Sequence, residues 1–380
     1  MAEKYLVGDL VADFLQRMEV ETVFGIVSVH NIPTLDAIGR RNAIRFVTAR
    51  SEYGGGHMAD AYARVHGGLG VLISSTGPGA ANAVPALVEA GFAATPLLHI
   101  TGQTPTNMLD RDMGSVHDVP GQSAMLASVC KSAYRILSPG QALGILTRAV
   151  EDAMTAPTGP VSVEIPIDVQ RAEIERPAEL ETLSLPRPAP VVPDAATLAA
   201  LVEKVKAAKR PLFRVGNGAK QATGAVRAMV ELGVPVISSW NGRGAVPEDH
   251  PLSLADGAGL PEIQSFLDTV DLLIVAGSRL RGHETQDQSL ALPARRVQID
   301  IDPKAQGRTY ATDLFVHGEA AATLSVLVEN LTGGLSLDPA LADDVASARR
   351  AAKAAYSEFL NGYAAMPGTV RRVLPRDGIF

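Results

Sequence analysis

The sequence predicts an α/β protein made of two doubly wound, mainly parallel-sheet domains in tandem. Short apolar runs alternate with stretches whose apolar residues recur at helical spacing, the pattern of repeated strand–helix units. The runs are apolar throughout rather than alternating, as in strands covered on both faces. A proline-rich segment divides the pattern into two blocks, and 380 residues exceed one ordinary domain at ~150 residues each.

In chain order, Leu6, Val7, Leu10, Val11, Phe14, Leu15 and Met18 form a helical stripe. A strand over 21–26, a short helix over 32–38 and a short buried strand over 44–47 follow. From Tyr53 onward Met58, Ala61 and Tyr62 keep helical spacing. A strand over 69–75, a helix over 80–93 and an apolar strand over 96–101 continue the alternation. After a long polar loop come a helix over 141–156 and a strand over 160–165, which completes a first domain over 1–175. Pro177, Pro186, Pro188, Pro190 and Pro193 then fill a stretch without helical period, which reads as an extended linker over 176–194. A second domain over 195–331 begins with a helix over 195–208. It carries strands over 211–216, 234–238, 271–276 and 296–301, and ends where Thr332-Gly-Gly334 stops a helix. Residues 332–380 read as a connecting segment with one helix over 340–360.

Composition excludes several classes. Charged residues make up 20% and apolar ones 46%, with a net charge of -7, which describes a soluble, mildly acidic globular protein. Lys and Arg are scattered rather than gathered into the basic stripe that nucleic-acid binding needs. No run approaches the ~18 apolar residues of a membrane helix, and Met1-Ala-Glu-Lys4 lacks a secretory pattern, so the expected location is cytoplasmic. Cys130 is the single cysteine; it forbids an internal disulfide and reads as a small buried hydrophobe before a strand. The eight histidines show no HxxxH spacing, so no metal site held by this chain is expected.

Candidate chemistry begins at Glu52. The carboxylate stands where a strand runs out and a helix begins, and in open parallel sheets such junctions lie at the carboxyl edge, where ligands bind. The plain alternative is a helix-capping acid, since acids favour first turns. Gly54, Gly55 and Gly56 are poor helix formers and call for either a tight turn or the close approach of another backbone or a ligand. Gly77-Pro-Gly79 and Gly216-Asn-Gly218 each follow a strand and open a helix, a geometry that offers amides to an anion. Neither has full GxGxxG spacing or a Walker lysine, so each serves equally as a structural turn.

Several motifs occur together in fixed order. They are Phe24-Gly-Ile26 with Asn31, Arg50-Ser-Glu52 with 59–64, Ser75-Thr-Gly-Pro-Gly79 with Asn82, 96–103, and 159–166. In the second block, Gly242-Arg-Gly244, 247–251, Gly277-Ser-Arg279 and 298–303 continue the series. Together they resemble the thiamine diphosphate enzymes of the acetolactate synthase, 2-oxo-acid decarboxylase and benzaldehyde lyase superfamily, through its pyrimidine-binding and central domains.

The resemblance implies a role for each of these residues. Glu52 would hydrogen-bond the cofactor's aminopyrimidine and favour the tautomer that deprotonates the thiazolium; a carboxyl in a dry pocket suits sharing a proton with a weakly basic ring nitrogen. Gly77, Pro78 and Gly79 would bring backbone to the pyrimidine, with Asn82 beside them. His30, in the loop after the first strand, is similar to a histidine of the benzaldehyde lyase branch, and Val27-Ser28 replace the Pro-Gly pair usual in acetolactate synthases. His117 lies where related enzymes place a catalytic glutamine or histidine, and an imidazole there can shuttle a proton to a carbonyl oxygen.

The implied activity is carbon–carbon lysis or ligation next to a carbonyl, on a 2-oxo acid or 2-hydroxy ketone, by a homodimer or homotetramer with the cofactor at the subunit interface. The family's third domain, which anchors the diphosphate through Mg2+ with a Gly-Asp-Gly motif, is missing from this chain. Leu374-Pro-Arg-Asp-Gly-Ile-Phe380 looks like the lead-in to it, so the expectation is inactivity of the chain alone. Some relatives hold FAD in the central domain, from positions like Gly216, Gly218 and Arg279, and others have lost it. A second reading therefore stays open: a noncatalytic assembly protein binding FAD or ADP.

Overall fold

The computed structural model describes residues 4–331 and 333–375, and the chain divides into two units, Met1–Ala189 and Pro190–Phe380. The sequence readings at the first three residues, at Thr332 and from Arg376 to Phe380 lie outside the described residues.

In the first unit, α1 (Val7–Arg17) buries Val7, Leu10, Val11, Phe14 and Leu15 along one face. Asp9 in its first turn accepts from the Leu6 amide at 2.8 Å, satisfying a donor that the helix itself leaves open. There follow β1 (Thr22–Gly25), α2 (Ile32–Arg41), β2 (Arg45–Thr48), α3 (Glu52–His66), β3 (Gly70–Ser74), α4 (Pro78–Ala93) and β4 (Leu97–Gln103). The unit then adds α5 (Gln122–Val129), β5 (Ser132–Arg135), α6 (Ala142–Met154), β6 (Pro160–Pro166) and α7 (Ile167–Gln170). Strand order is β2-β1-β3-β4-β6-β5, with every pairing parallel. The α1, α2 and α6 helices cover one face, and α3, α4 and α5 the other. Because β1 lies between β2 and β3, the winding reverses there, and the carboxyl ends of β1 and β3 are the place where open parallel sheets bind ligands.

The second unit holds α8 (Ala195–Ala207), β7 (Pro211–Val215), α9 (Thr223–Glu231), β8 (Val236–Ser238), α10 (Pro261–Leu267), β9 (Leu272–Ala276), β10 (Arg296–Asp300) and β11 (Leu314–His317). It ends with α11 (Ala320–Asn330), α12 (Leu341–Leu360) and α13 (Met366–Val373). Its sheet is also parallel, in the order β11-β10-β9-β7-β8. The α8, α9 and α11 helices pack on one face, and α10 with the first half of α12 on the other, where Leu341, Val345 and Ala348 are buried.

Some elements differ from the sequence reading. The strand over 44–47 is not buried: β2 is the sheet edge, with Arg45 and Thr48 exposed. On α3 the periodic Met58 and Ala61 point to solvent, and Gly55, Gly56, Ala59 and Ala63 face inward instead. Small residues win there because α3 packs close to its neighbours: a Cβ at Gly56 would stand 2.5 Å from Ala86 Cβ of α4. A Cβ at Gly55 would meet Leu72 at 3.2 Å and Ala49 at 3.3 Å. The α5 and β11 elements carry too little periodicity to be read in advance. The proline-rich stretch is extended except for one 3-10 turn (Ala178–Thr182), whose Leu180 is buried against the core of the first unit.

The glycines of α3 therefore predict opposite signs. Gly56→Ala overpacks the α3–α4 contact and lowers stability by about 1–3 kcal/mol. Gly54→Ala meets only Ser51 Oγ, at 3.4 Å, and raises it by about 0.5–1 kcal/mol. Urea unfolding of the first unit reads both.

Candidate functional site at the carboxyl edge of the first sheet

Ser51 ends the loop after β2 and caps α3, its Oγ accepting from the Gly54 amide at 3.1 Å. Glu52 thus becomes the first helical residue, with its side chain 9% exposed. Asn82 of α4 donates to Glu52 Oε2 at 3.0 Å. Glu52 Oε1 faces the Gly79 backbone: a Cβ at position 79 would stand 2.8 Å from that oxygen and 2.7 Å from Ser75 Cβ. Position 79 is thus closed to a side chain by Ser75 and by the carboxylate together.

Gly77 is constrained from the opposite side. Its φ is +56°, and a Cβ there would lie 2.0 Å from the carbonyl oxygen of His117. Pro78 follows as the first residue of α4, where its missing N–H costs nothing. The turn that carries Gly77 and Gly79 therefore touches Glu52 on one side and the loop over 104–121 on the other.

His30 lies in the loop after β1 and is buried, its carbonyl accepting from Gln170 Nε2 at 2.7 Å. Its Nδ1 is buried without a hydrogen-bond partner. Burial, and then the charge of neighbouring His117, hold its pKa below the usual histidine range, so it stays neutral near pH 7. The two imidazoles lie with centroids 5.8 Å apart, His117 itself being exposed with φ at +64°. Ser28 Oγ and Ser75 Oγ are 2.7 Å apart, which joins the His30 loop to the β3–α4 turn. Asn31 fastens the same two loops by donating to the carbonyls of Ile26 and Ser74. Contact by contact, Glu52, Gly79, Ser75, Ser28, His30, His117 and Gly77 form one locality at the switch point of the sheet.

Residues that sequence reasoning did not single out hold this locality from beneath. The Gly77 amide donates to Gln122 Oε1, and the Thr76 hydroxyl lies between Gln122 Oε1 at 3.0 Å and Gln103 Oε1 at 2.9 Å. Gln122 Nε2 donates to Glu164 Oε1 at 2.7 Å, and Arg135 Nε to Glu164 Oε2 at 2.6 Å. The signal for Glu164 was present as a charged residue inside an otherwise apolar strand. Deeper in the sheet, His99 of β4 is fully buried between Ser74 Oγ at 2.8 Å and Ser162 Oγ at 3.0 Å, and burial lowers its pKa to about 3. Cys130 is half-buried and burial raises its thiol to about 12, in keeping with an inert side chain.

The glycine turn of the second unit is engaged with the protein's own backbone. A Cβ at Gly216 would meet Gly277 O at 2.2 Å, one at Gly218 would meet Gly277 Cα at 2.9 Å, and the Gly218 amide donates to Gly277 O at 3.0 Å. Arg279 is half-buried two residues beyond that contact. Among the described residues, no group of three His, Cys, Asp or Glu could hold a metal ion, and no helix is long and apolar enough to cross a membrane.

Both units have counterparts among known proteins. Residues 6–125 match the model of the thiamine pyrophosphate enzyme N-terminal TPP binding domain, and residues 198–327 match that of the central domain. A probable 2-ketoarginine decarboxylase of Pseudomonas aeruginosa is 30% identical over 97% of this chain and 66% of its own length. The acetolactate synthase large subunit of Corynebacterium glutamicum is 31% identical over 93% of this chain and 56% of its own. The large subunit of acetolactate synthase isozyme 1 of Escherichia coli is 30% identical over 86% and 58%. The chain thus spans between about half and two thirds of the length of these relatives.

Buried His99 predicts a definite acid response. Its folded pKa is lowered, so the unfolded chain binds the extra proton. Stability is whole above the unfolded value of about 6.5 and falls as pH drops from there towards about 3. Between pH 7.5 and pH 5 this histidine alone removes about 2 kcal/mol. Urea unfolding at the two pH values checks it, and His99→Gln flattens the difference.

Proposed function

The chain belongs to the thiamine pyrophosphate enzyme family, and from that premise we propose that it makes or breaks carbon–carbon bonds next to a carbonyl, on a 2-oxo acid or 2-hydroxy ketone. The observation that carries this reading is Glu52: a buried carboxylate at a helix start, with one oxygen on Asn82 and the other facing backbone that cannot bear a side chain. A carboxyl that only capped a helix needs neither the burial nor the glycine opposite it.

The residues present fit the cofactor. Glu52 would meet the aminopyrimidine, and the Gly77, Pro78 and Gly79 backbone with Asn82 would line its ring. When bound, thiamine diphosphate supplies an electron-accepting ring for charge that develops beside a carbonyl. The protein supplies position and protons. Glu52 can hold or release a proton at Oε1. Neutral His30, with Nδ1 unpartnered, can accept one, and His117 can exchange it with solvent because it is exposed. His30, Ser75 and Thr76 beside Glu52 are themselves buried. We further propose that Mg2+ anchors the diphosphate through ligands outside the described residues, and that two or four copies assemble with the cofactor between subunits, since closed symmetric assemblies are the common solution.

The test uses natively expressed protein, thiamine diphosphate with Mg2+, and a panel of 2-oxo acids that includes 2-ketoarginine. Glu52→Gln should lower turnover by at least about 10²-fold, and His117→Ala by roughly 10²-fold, the scale of lost acid–base help. Wild-type turnover by the Glu52→Gln protein would overturn the reading.

A further inference from the structure

The site is held by a buried chain of hydrogen bonds with a fixed direction. Glu164 of β6 is 1% exposed and accepts on both oxygens, from Gln122 Nε2 and from Arg135 Nε. Its charge fixes the amide orientation of Gln122: the NH2 must face Glu164, so the Gln122 oxygen must face the Gly77 amide and Thr76. On the other branch, Arg135 donates through Nη1 to Asp110 Oδ2 at 2.6 Å, in the loop that carries His117. Both branches meet again where the His117 carbonyl packs on Gly77, with no room for a Cβ between them.

We propose that Glu164 is a positioning residue, whose single buried charge sets the glycine turn beside Glu52 and the His117 loop together. Gln122 transmits it to the turn and Arg135 to the loop. The inference rests on reading Gly77 and His117 as parts of the active site, but the arrangement itself is a property of the free protein. It predicts a specific failure. In Glu164→Gln the new amide can offer its oxygen to Arg135 only by turning its NH2 towards Gln122. Gln122 must then flip, which sets its own NH2 against the Gly77 N–H, donor against donor. Moving the carboxylate one step along the chain, in Glu164→Gln with Gln122→Glu, restores a consistent direction. Arg135 then donates to the amide oxygen at position 164, and the NH2 of that amide donates to the carboxylate at position 122, which accepts from Gly77 and Thr76.

Amide hydrogen exchange on the 380-residue chain, without cofactor, tests this. Glu164→Gln should speed exchange at Gly77 and across 104–121 by about tenfold or more, the loss expected when a hydrogen bond ordered by a charge is broken. Leu72 and Ile100, within β3 and β4, should keep their rates. The double variant should restore protection at Gly77. Asp110→Asn, a change at an exposed side chain, should loosen 107–117 and leave Gly77 protected. Wild-type exchange at Gly77 in folded Glu164→Gln, or a uniform rise over the whole first unit, would overturn the proposal. If Glu164→Gln does not fold, a folded double variant with Gly77 protected supports it, and one with Gly77 unprotected overturns it. These outcomes are separable from the cofactor reading, which stands or falls on turnover by Glu52→Gln.

Discussion

The lack of room at the β3–α4 turn is the constraint on which the rest of the site depends. Gly77 and Gly79 are two residues apart, and each is pressed by a different part of the chain: the His117 carbonyl on one, the Glu52 carboxylate on the other. A turn that tight is stable only if its own amides are satisfied, and Gln122 does this for Gly77. The position of α4 follows, because Pro78 starts the helix from that turn. Next comes the position of α3, whose Gly56 packs on Ala86 of α4 and whose first residue is Glu52. The site is thus a consequence of small residues placed where two helices and a loop converge on one strand end.

The parallel sheets were legible because their strands are continuous apolar runs, and the helices because α1 and α6 carry clear stripes. What was not legible has a common cause. On α3 and α4 the inward positions are Gly and Ala, which carry little hydrophobic signal, so periodicity was read from residues that face solvent. The α5 helix starts within a polar loop, and its inward-facing positions include Gln122, which a hydrophobic pattern counts as surface. Edge strand β2 is apolar at Phe46 and Val47 yet exposed at both ends, because edge position is a property of topology and not of the segment.

For the site, the residues at loop starts could be found because each sits where a strand run meets a glycine or a polar turn. Glu52, Gly77, Gly79, Asn82, His30 and His117 come together in the structure, although they span eighty-eight positions in sequence. The supporting layer was not found. The hydrogen bonds by which Gln122, Glu164 and Arg135 reach the turn, each other and the loop over 104–121 span 25 to 46 residues in sequence, and nothing local marks them as partners. In the second unit the same type of glycine turn was visible, and there Gly216 and Gly218 face the backbone of Gly277. A strand–glycine–helix pattern therefore reports close approach, and the structure decides what approaches.

The two buried glutamates of the first unit, Glu52 and Glu164, differ in what surrounds them. Glu164 is ion-paired with Arg135 and hydrogen-bonded by Gln122, so its charge is compensated and its geometry fixed. Glu52 is buried to a similar class but has no ion pair among the described residues; an amide of Asn82 and the start of α3 are what balance it. The two glutamates therefore differ in their partners more than in their depth of burial: Arg135 and Gln122 hold both oxygens of Glu164, and Glu52 keeps one oxygen facing the Gly79 backbone.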